Sequence, residues 1–145
     1  MAGPEPEPVS SAAATTPAPS APVFLPKTSE SDQLLKIRHS MSHVMAMAVQ
    51  QLFPKARVTI GPWTETGFYY DFDNPDPFTE ADLKAIKKGM IKIINKKLPL
   101  ERVEVSRNEA EEKIKVQNEP YKLEILEGLQ EPITLYTLGE EWWDL

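Results

Sequence analysis

His39 and His43 are the only histidines in the chain, set four residues apart in Arg38-His39-Ser40-Met41-Ser42-His43. On a helix, positions i and i+4 lie one above the other, so both rings can work on one target. An imidazole with an ordinary pKa of about 6.5 can take or give a proton at neutral pH, which suits general acid–base chemistry. The same spacing serves paired zinc ligands, but zinc generally takes about three or four protein ligands. With no cysteine and no third histidine, only carboxylates could complete such a site, and no metal is expected in this chain. From spacing alone, two histidines on a helix are more often surface or hydrogen-bonded structural residues than catalytic ones. Chemistry at this pair therefore needs support from elsewhere in the sequence.

The element that must position the pair is a single helix running from about Asp32 to Phe53. Ser29-Glu30-Ser31-Asp32 supplies its start and Pro54 its stop. At about 100° per residue, Leu34, Ile37, Met41, Val44, Met45, Ala48 and Leu52 form one apolar stripe, with the histidines opposite it. Leu35, Ala46, Met47 and Phe53 flank the histidines beside Asp32, Lys36 and Gln50. The expectation is a helix packed on one face, with both imidazoles in a partly apolar cleft on the other.

Downstream, Arg57-Val58-Thr59-Ile60 and Phe68 to Asp73 alternate as two strands of a hairpin around a Thr66-Gly67 turn. Phe68, Tyr70 and Phe72 share one face. Thr79-Glu80-Ala81-Asp82 opens a second helix, with a buried stripe expected at Leu83, Ile86, Met90, Ile93 and Ile94. Lys84, Lys88, Lys92 and Lys96 form a ridge on another side, which reads as a solvated face or a phosphate-contacting one. Pro99 to Val105 fits a strand, and Ser106-Arg107-Asn108-Glu109 is a capping box for a third helix. Glu119-Pro120 ends that element and starts a short helix at Tyr121 that Gly128 closes. Lys122 falls in its first turn, where a cation opposes the helix dipole and suits some purpose other than helix stability. Ile133-Thr134-Leu135-Tyr136 and the residues from Glu141 read as further strands. Ending on Trp142-Trp143-Asp144-Leu145 is unusual for a solvated terminus and reads as a cut through a domain.

Half of the 14 prolines (Pro4, Pro6, Pro8, Pro17, Pro19, Pro22 and Pro26) lie in residues 1–28 among Ala, Ser and Thr. That composition predicts a disordered or extended arm ahead of one domain at 29–145. The arm has no apolar core segment and no arginine, and it carries Glu5 and Glu7, so it is a poor transit peptide. No apolar run reaches membrane-spanning length. The absence of cysteine leaves the redox compartment open; a cytoplasmic protein is the default, with a plastid as the alternative. A net charge of −6 argues against unassisted, high-affinity nucleic-acid binding, which draws most of its strength from neutralised phosphates.

Five words of the sequence, in this order, carry a resemblance: Arg38-His39-Ser40 with His43, Ile60-Gly61-Pro62, Gly67-Phe68-Tyr69-Tyr70-Asp71, Glu119-Pro120-Tyr121-Lys122 and Trp142-Trp143-Asp144-Leu145. Over about residues 24–145 the chain resembles the amino-terminal editing domain of threonyl-tRNA synthetases, most of all the cyanobacterial and chloroplast type. The resemblance implies an α+β fold, an antiparallel sheet packed with helices, shared with alanyl-tRNA synthetase editing domains and incomplete here at its C-terminus. It implies hydrolysis of serine wrongly esterified to threonine tRNA. By the same resemblance His39, His43 and Lys122 are catalytic, Tyr70 and Asp144 bind substrate, and Lys84, Lys88 and Lys92 are weak tRNA contacts. The family pattern continues one residue past Asp144 with Cys-x-Gly-Pro-His, so the isolated chain is expected to be inactive.

ATP, Mg2+ and Zn2+ are implied only for a synthetase core outside this chain, and none is expected within it. The partner implied is the acceptor end of threonine tRNA, with no membrane, and a homodimer only for the full-length enzyme. Two other classes stand beside this one. One is a free-standing hydrolase acting in trans; the other is a non-catalytic module that binds tRNA or a synthetase through the lysine-rich helix.

Overall fold

A computed structural model of the chain describes residues 25–140 and 142–145. Among the described residues the architecture is α+β: four α-helices with small antiparallel sheets. Helix α1 (Asp32–Leu52) begins where the Ser31 side chain accepts from the Leu34 N–H. It ends two residues before Pro54. A long hairpin follows, split into two short ladders: β1 (Arg57–Val58) with β4 (Phe72–Asp73), and β2 (Trp63–Thr64) with β3 (Gly67–Phe68). Hydrogen bonds from Asp71 N–H to the Ile60 carbonyl and from Tyr69 N–H to the Pro62 carbonyl join them. Tyr70 is buried between exposed Tyr69 and Asp71, which is the alternation expected.

Helices α2 (Glu80–Asn95) and α3 (Arg107–Gln117) both start in full capping boxes, Thr79 with Asp82 and Ser106 with Glu109. Helix α4 (Pro120–Glu127) has proline in its first turn. Strands β5 (Leu100–Val105), β6 (Ile133–Leu138) and β7 (Trp142–Asp144) form one antiparallel sheet with β6 in the middle. Among the described residues, no helix is long and apolar enough to cross a membrane.

The arm assigned to residues 1–28 lies outside the described residues as far as 24, and the described part includes Thr28. Thr28 is buried in a 3-10 turn, Thr28–Glu30, and its N–H donates to the Glu65 carbonyl. Arg38, also buried, explains the docking. Its Nη1 donates to Thr28 Oγ1 at 2.6 Å and to the Glu65 carbonyl at 3.0 Å, and its Nη2 donates to the Pro26 carbonyl at 3.0 Å. A buried guanidinium needs such acceptors, and the turn supplies them.

The apolar stripe of α1 is right at Val44 and Ala48, but Ile37 and Leu52 are exposed. Burial instead runs through the consecutive residues Ala46, Met47, Ala48 and Val49. The 3-10 turn, the hairpin and α2 all close on α1, so the stretch from Ala46 to Val49 is enclosed from more than one side and a one-faced pattern does not describe it. On α2, Ile86 and Ile93 are buried while Leu83 and Ile94 are exposed. The face turned to α1 is narrower than the apolar count suggests.

Two hydrophobic clusters result. One gathers α1, the hairpin and α2 with Leu138 and Trp142; the other gathers Ala110 and Ile114 of α3, Leu126 of α4, Ile133 and Leu135 of β6, and Trp143. Neighbouring tryptophans of β7 thus point to opposite sides of its sheet, one into each cluster.

Candidate active site

The site is built where α1 crosses the β5–β6–β7 sheet. His39 is half-buried and His43 is 2% exposed; their rings stack with centroids 4.7 Å apart. Tyr136, from the central strand β6, lies against both, 4.8 Å from His39 and 5.2 Å from His43. Both histidines line a cavity of about 510 Å³, together with Leu35 and Lys36 of α1 and Arg102 and Tyr136 of the sheet. Another hollow of about 450 Å³, between Glu104–Ser106 and Glu131–Pro132, is lined by carboxylates without an imidazole. The histidine cavity is the one lined by imidazoles, the side chains whose ordinary proton exchange falls near neutral pH.

Behind the cavity wall sits a buried carboxylate. His43 Nδ1–H donates to Asp144 Oδ2 at 3.1 Å, and the Tyr70 hydroxyl donates to the same oxygen at 2.7 Å. Asp144 Oδ1 accepts the Leu145 N–H at 2.9 Å and lies 3.7 Å from Lys122 Nζ. Lys122 is 1% exposed; it donates to the Trp143 carbonyl at 3.2 Å and stands 4.4 Å from the centre of a Trp143 ring. The odd placement of a lysine in the first turn of α4 is thereby accounted for. The short helix aims the cation inward at β7, where it serves the carboxylate rather than the helix.

Burial alone would push the Asp144 carboxyl up. The His43 hydrogen bond, the Lys122 charge and the Tyr70 hydroxyl outweigh it and hold the group below the usual carboxylate range. Lys122 is shifted down by loss of water, a shift opposed by Asp144 and Glu119. The Tyr70 hydroxyl is pushed far up, first by burial and then by the Asp144 charge, and stays protonated. His39 is lowered by burial and by His43 across the stack, against a smaller opposing pull from Asp144, which favours its neutral ring.

Gly61 explains how Tyr70 reaches the carboxylate. A Cβ on Gly61 would fall 2.0 Å from the Tyr70 ring, so only glycine lets that ring lie flat against the hairpin. The word Ile60-Gly61-Pro62 is a seat for Tyr70.

Over all 145 residues the chain is 96% identical to a threonine–tRNA ligase of Synechococcus sp. (strain CC9605), covering 24% of that protein. The corresponding ligase of Parasynechococcus marenigrum (strain WH8102) is 91% identical over the same length, again covering 24%. That of Synechococcus elongatus is 76% identical over 123 residues, 85% of this chain and 20% of the relative. Over its whole length the chain is similar to the amino-terminal quarter of these cyanobacterial threonine–tRNA ligases. It spans about a quarter of the length of the relatives it matches, and the likeness to threonyl-tRNA synthetases carried by its motifs is borne out. No family model matches the chain.

Of the residues singled out from the sequence, His39, His43, Tyr70, Lys122 and Asp144 converge. Only the two histidines line the cavity; Tyr70, Lys122 and Asp144 lie behind them. Lys84, Lys88 and Lys92 are exposed on α2 and line no part of that cavity. Among the described residues no group of three or more His, Asp or Glu is placed to hold a metal ion. Tyr136 and Arg102 escaped the sequence reading. Strand alternation puts Tyr136 on the face opposite Ile133 and Leu135, but nothing local says that α1 crosses that face.

Proposed function

We propose that this site hydrolyses the ester of serine mischarged onto threonine tRNA, as the proofreading part of a threonine–tRNA ligase. The observation that carries the reading is His43. Its Nδ1–H is committed to Asp144, while its buried Nε2 has no hydrogen-bond partner. A buried, unpartnered acceptor on a ring that lines a cavity is costly, and a hydroxyl or an attacking water would satisfy it. The carboxylate fixes the tautomer that leaves the Nε2 lone pair free, the arrangement a general base needs. His39, kept neutral beside it, orients the same water or the terminal ribose.

Selectivity follows from size. A synthetic pocket shaped for threonine rejects serine, one methyl smaller, by only about 1–3 kcal/mol. A smaller hydrolytic pocket does the reverse, admitting serine and clashing with the extra methyl.

Lys122 acts here through Asp144, holding the carboxylate charged and β7 in place. In a full-length ligase, His43→Ala and Asp144→Asn should each lower hydrolysis of Ser-tRNA by about a hundredfold or more while leaving threonine activation intact. Unchanged serine release in both variants sinks the reading. Lys84, Lys88 and Lys92 are proposed as weak contacts to the tRNA backbone. Neutralising all three should weaken tRNA binding at low salt and flatten its salt dependence, with the rate at saturation unchanged.

A further inference from the structure

We propose that Gln50 and Glu119 are positioning residues of the histidine site, aligning through Trp142 the aromatic wall that backs His43. The proposal rests on the hydrolytic reading above for its kinetic part, and on geometry alone for the rest.

Gln50 lies seven residues after His43, on the same side of α1, and it is half-buried between two groups. Its Oε1 accepts the Trp142 indole N–H at 2.7 Å, and its Nε2 donates to Glu119 Oε1 at 2.8 Å. The indole can only donate and the carboxylate can only accept, so the amide has one possible orientation. Trp142 lies 5.6 Å from the His43 ring. Glu119 is 8% exposed, and its other oxygen, Oε2, is buried without a partner. A buried carboxylate needs a hydrogen-bond donor, and the Gln50 amide supplies one.

The chain Glu119–Gln50–Trp142 therefore joins the residues ahead of α4, helix α1 and strand β7. Helix α4 itself carries Lys122, α1 the histidines and β7 Asp144. Neither Gln50 nor Glu119 lines the cavity, so both act through the indole. Turning that indole moves the ring behind His43, and a displacement near 1 Å in a reacting group costs about a hundredfold at most in rate.

A reciprocal exchange tests it. Gln50→Leu removes both bonds, and Gln50→Glu alone sets two carboxylates face to face. Gln50→Glu combined with Glu119→Gln keeps an acceptor for the indole and replaces the repulsion with a donor–acceptor pair between the side chains. Nuclear magnetic resonance on the 145-residue chain reads Trp142 indole N–H exchange and the His43 ring-proton shifts. Serine release from Ser-tRNA by a full-length ligase gives kcat and KM separately. Both single variants should speed indole exchange, move the His43 ring protons and lower kcat by about tenfold or more at unchanged KM; the paired exchange should restore all three.

A KM change with constant kcat, or full loss in the paired exchange despite a folded spectrum, overturns the positioning role. Undisturbed His43 resonances in Gln50→Leu overturn it too. If the unaltered ligase releases no serine, the hydrolytic reading falls instead. The His43 shifts and their restoration in the exchange then decide the positioning role by themselves.

Discussion

Asp144 Oδ2 accepts two hydrogen bonds at once, from an imidazole and from a phenol, and each donor constrains the other. Because the folded carboxyl lies below its usual range, the unfolded chain takes up its proton first as pH falls. The stabilisation is fully present above about pH 4 and is lost as pH drops through the depressed folded value. Tyr70→Phe keeps the ring on Gly61 and removes only the hydroxyl. It should cost about 2 kcal/mol, the worth of a hydrogen bond to a charged group. It should also move the acid loss to higher pH. Urea denaturation between pH 3 and pH 7, roughly spanning the carboxylate range, checks both; an unaltered acid limb would mean that Tyr70 does not act on Asp144.

At the scale of elements, the hairpin is shaped by one close approach. Gly61→Ala would drive a methyl into the Tyr70 ring and should destabilise the chain by about 3 kcal/mol, as overpacking does. Thermal unfolding of the variant measures this, and a change within about 0.5 kcal/mol would show that the ring relaxes freely.

Elements governed by short-range chemistry were the legible ones. The capping boxes at Thr79 and Ser106, the proline opening α4 and the alternation around Tyr70 are each contained within a few residues. Burial on α1 was misread because periodicity assumes one packed face, whereas several elements surround Ala46 to Val49. The convergence of His39, His43, Tyr70, Lys122 and Asp144 came through the family resemblance, not through periodicity. Tyr136 and the Gln50–Trp142 bond stayed hidden because they depend on which strand lies under α1, and that is decided by pairings far apart in the chain.

For the molecule as a whole, β7 is the seam between two hydrophobic clusters, with Trp142 in one, Trp143 in the other and Asp144 reaching the histidines. Trp143→Ala should cost about 4 kcal/mol by emptying its cluster. Because Lys122 donates to the Trp143 backbone and stands over its ring, the loss should spread to the buried carboxylate. Denaturant unfolding followed by the remaining tryptophans is the check. Two separate transitions in the unaltered chain would show that the clusters are not coupled through β7.

His43 and Asp144 are separated by 101 positions in the chain. A ribosome, adding roughly 5–20 residues per second, therefore releases the imidazole several seconds before the carboxylate that orients it. Through that interval the nascent polypeptide carries the ring without its orienting partner, and contacts of such long sequence separation are slow to close. Whatever chemistry depends on this pairing begins only after translation has passed the third strand of the larger sheet.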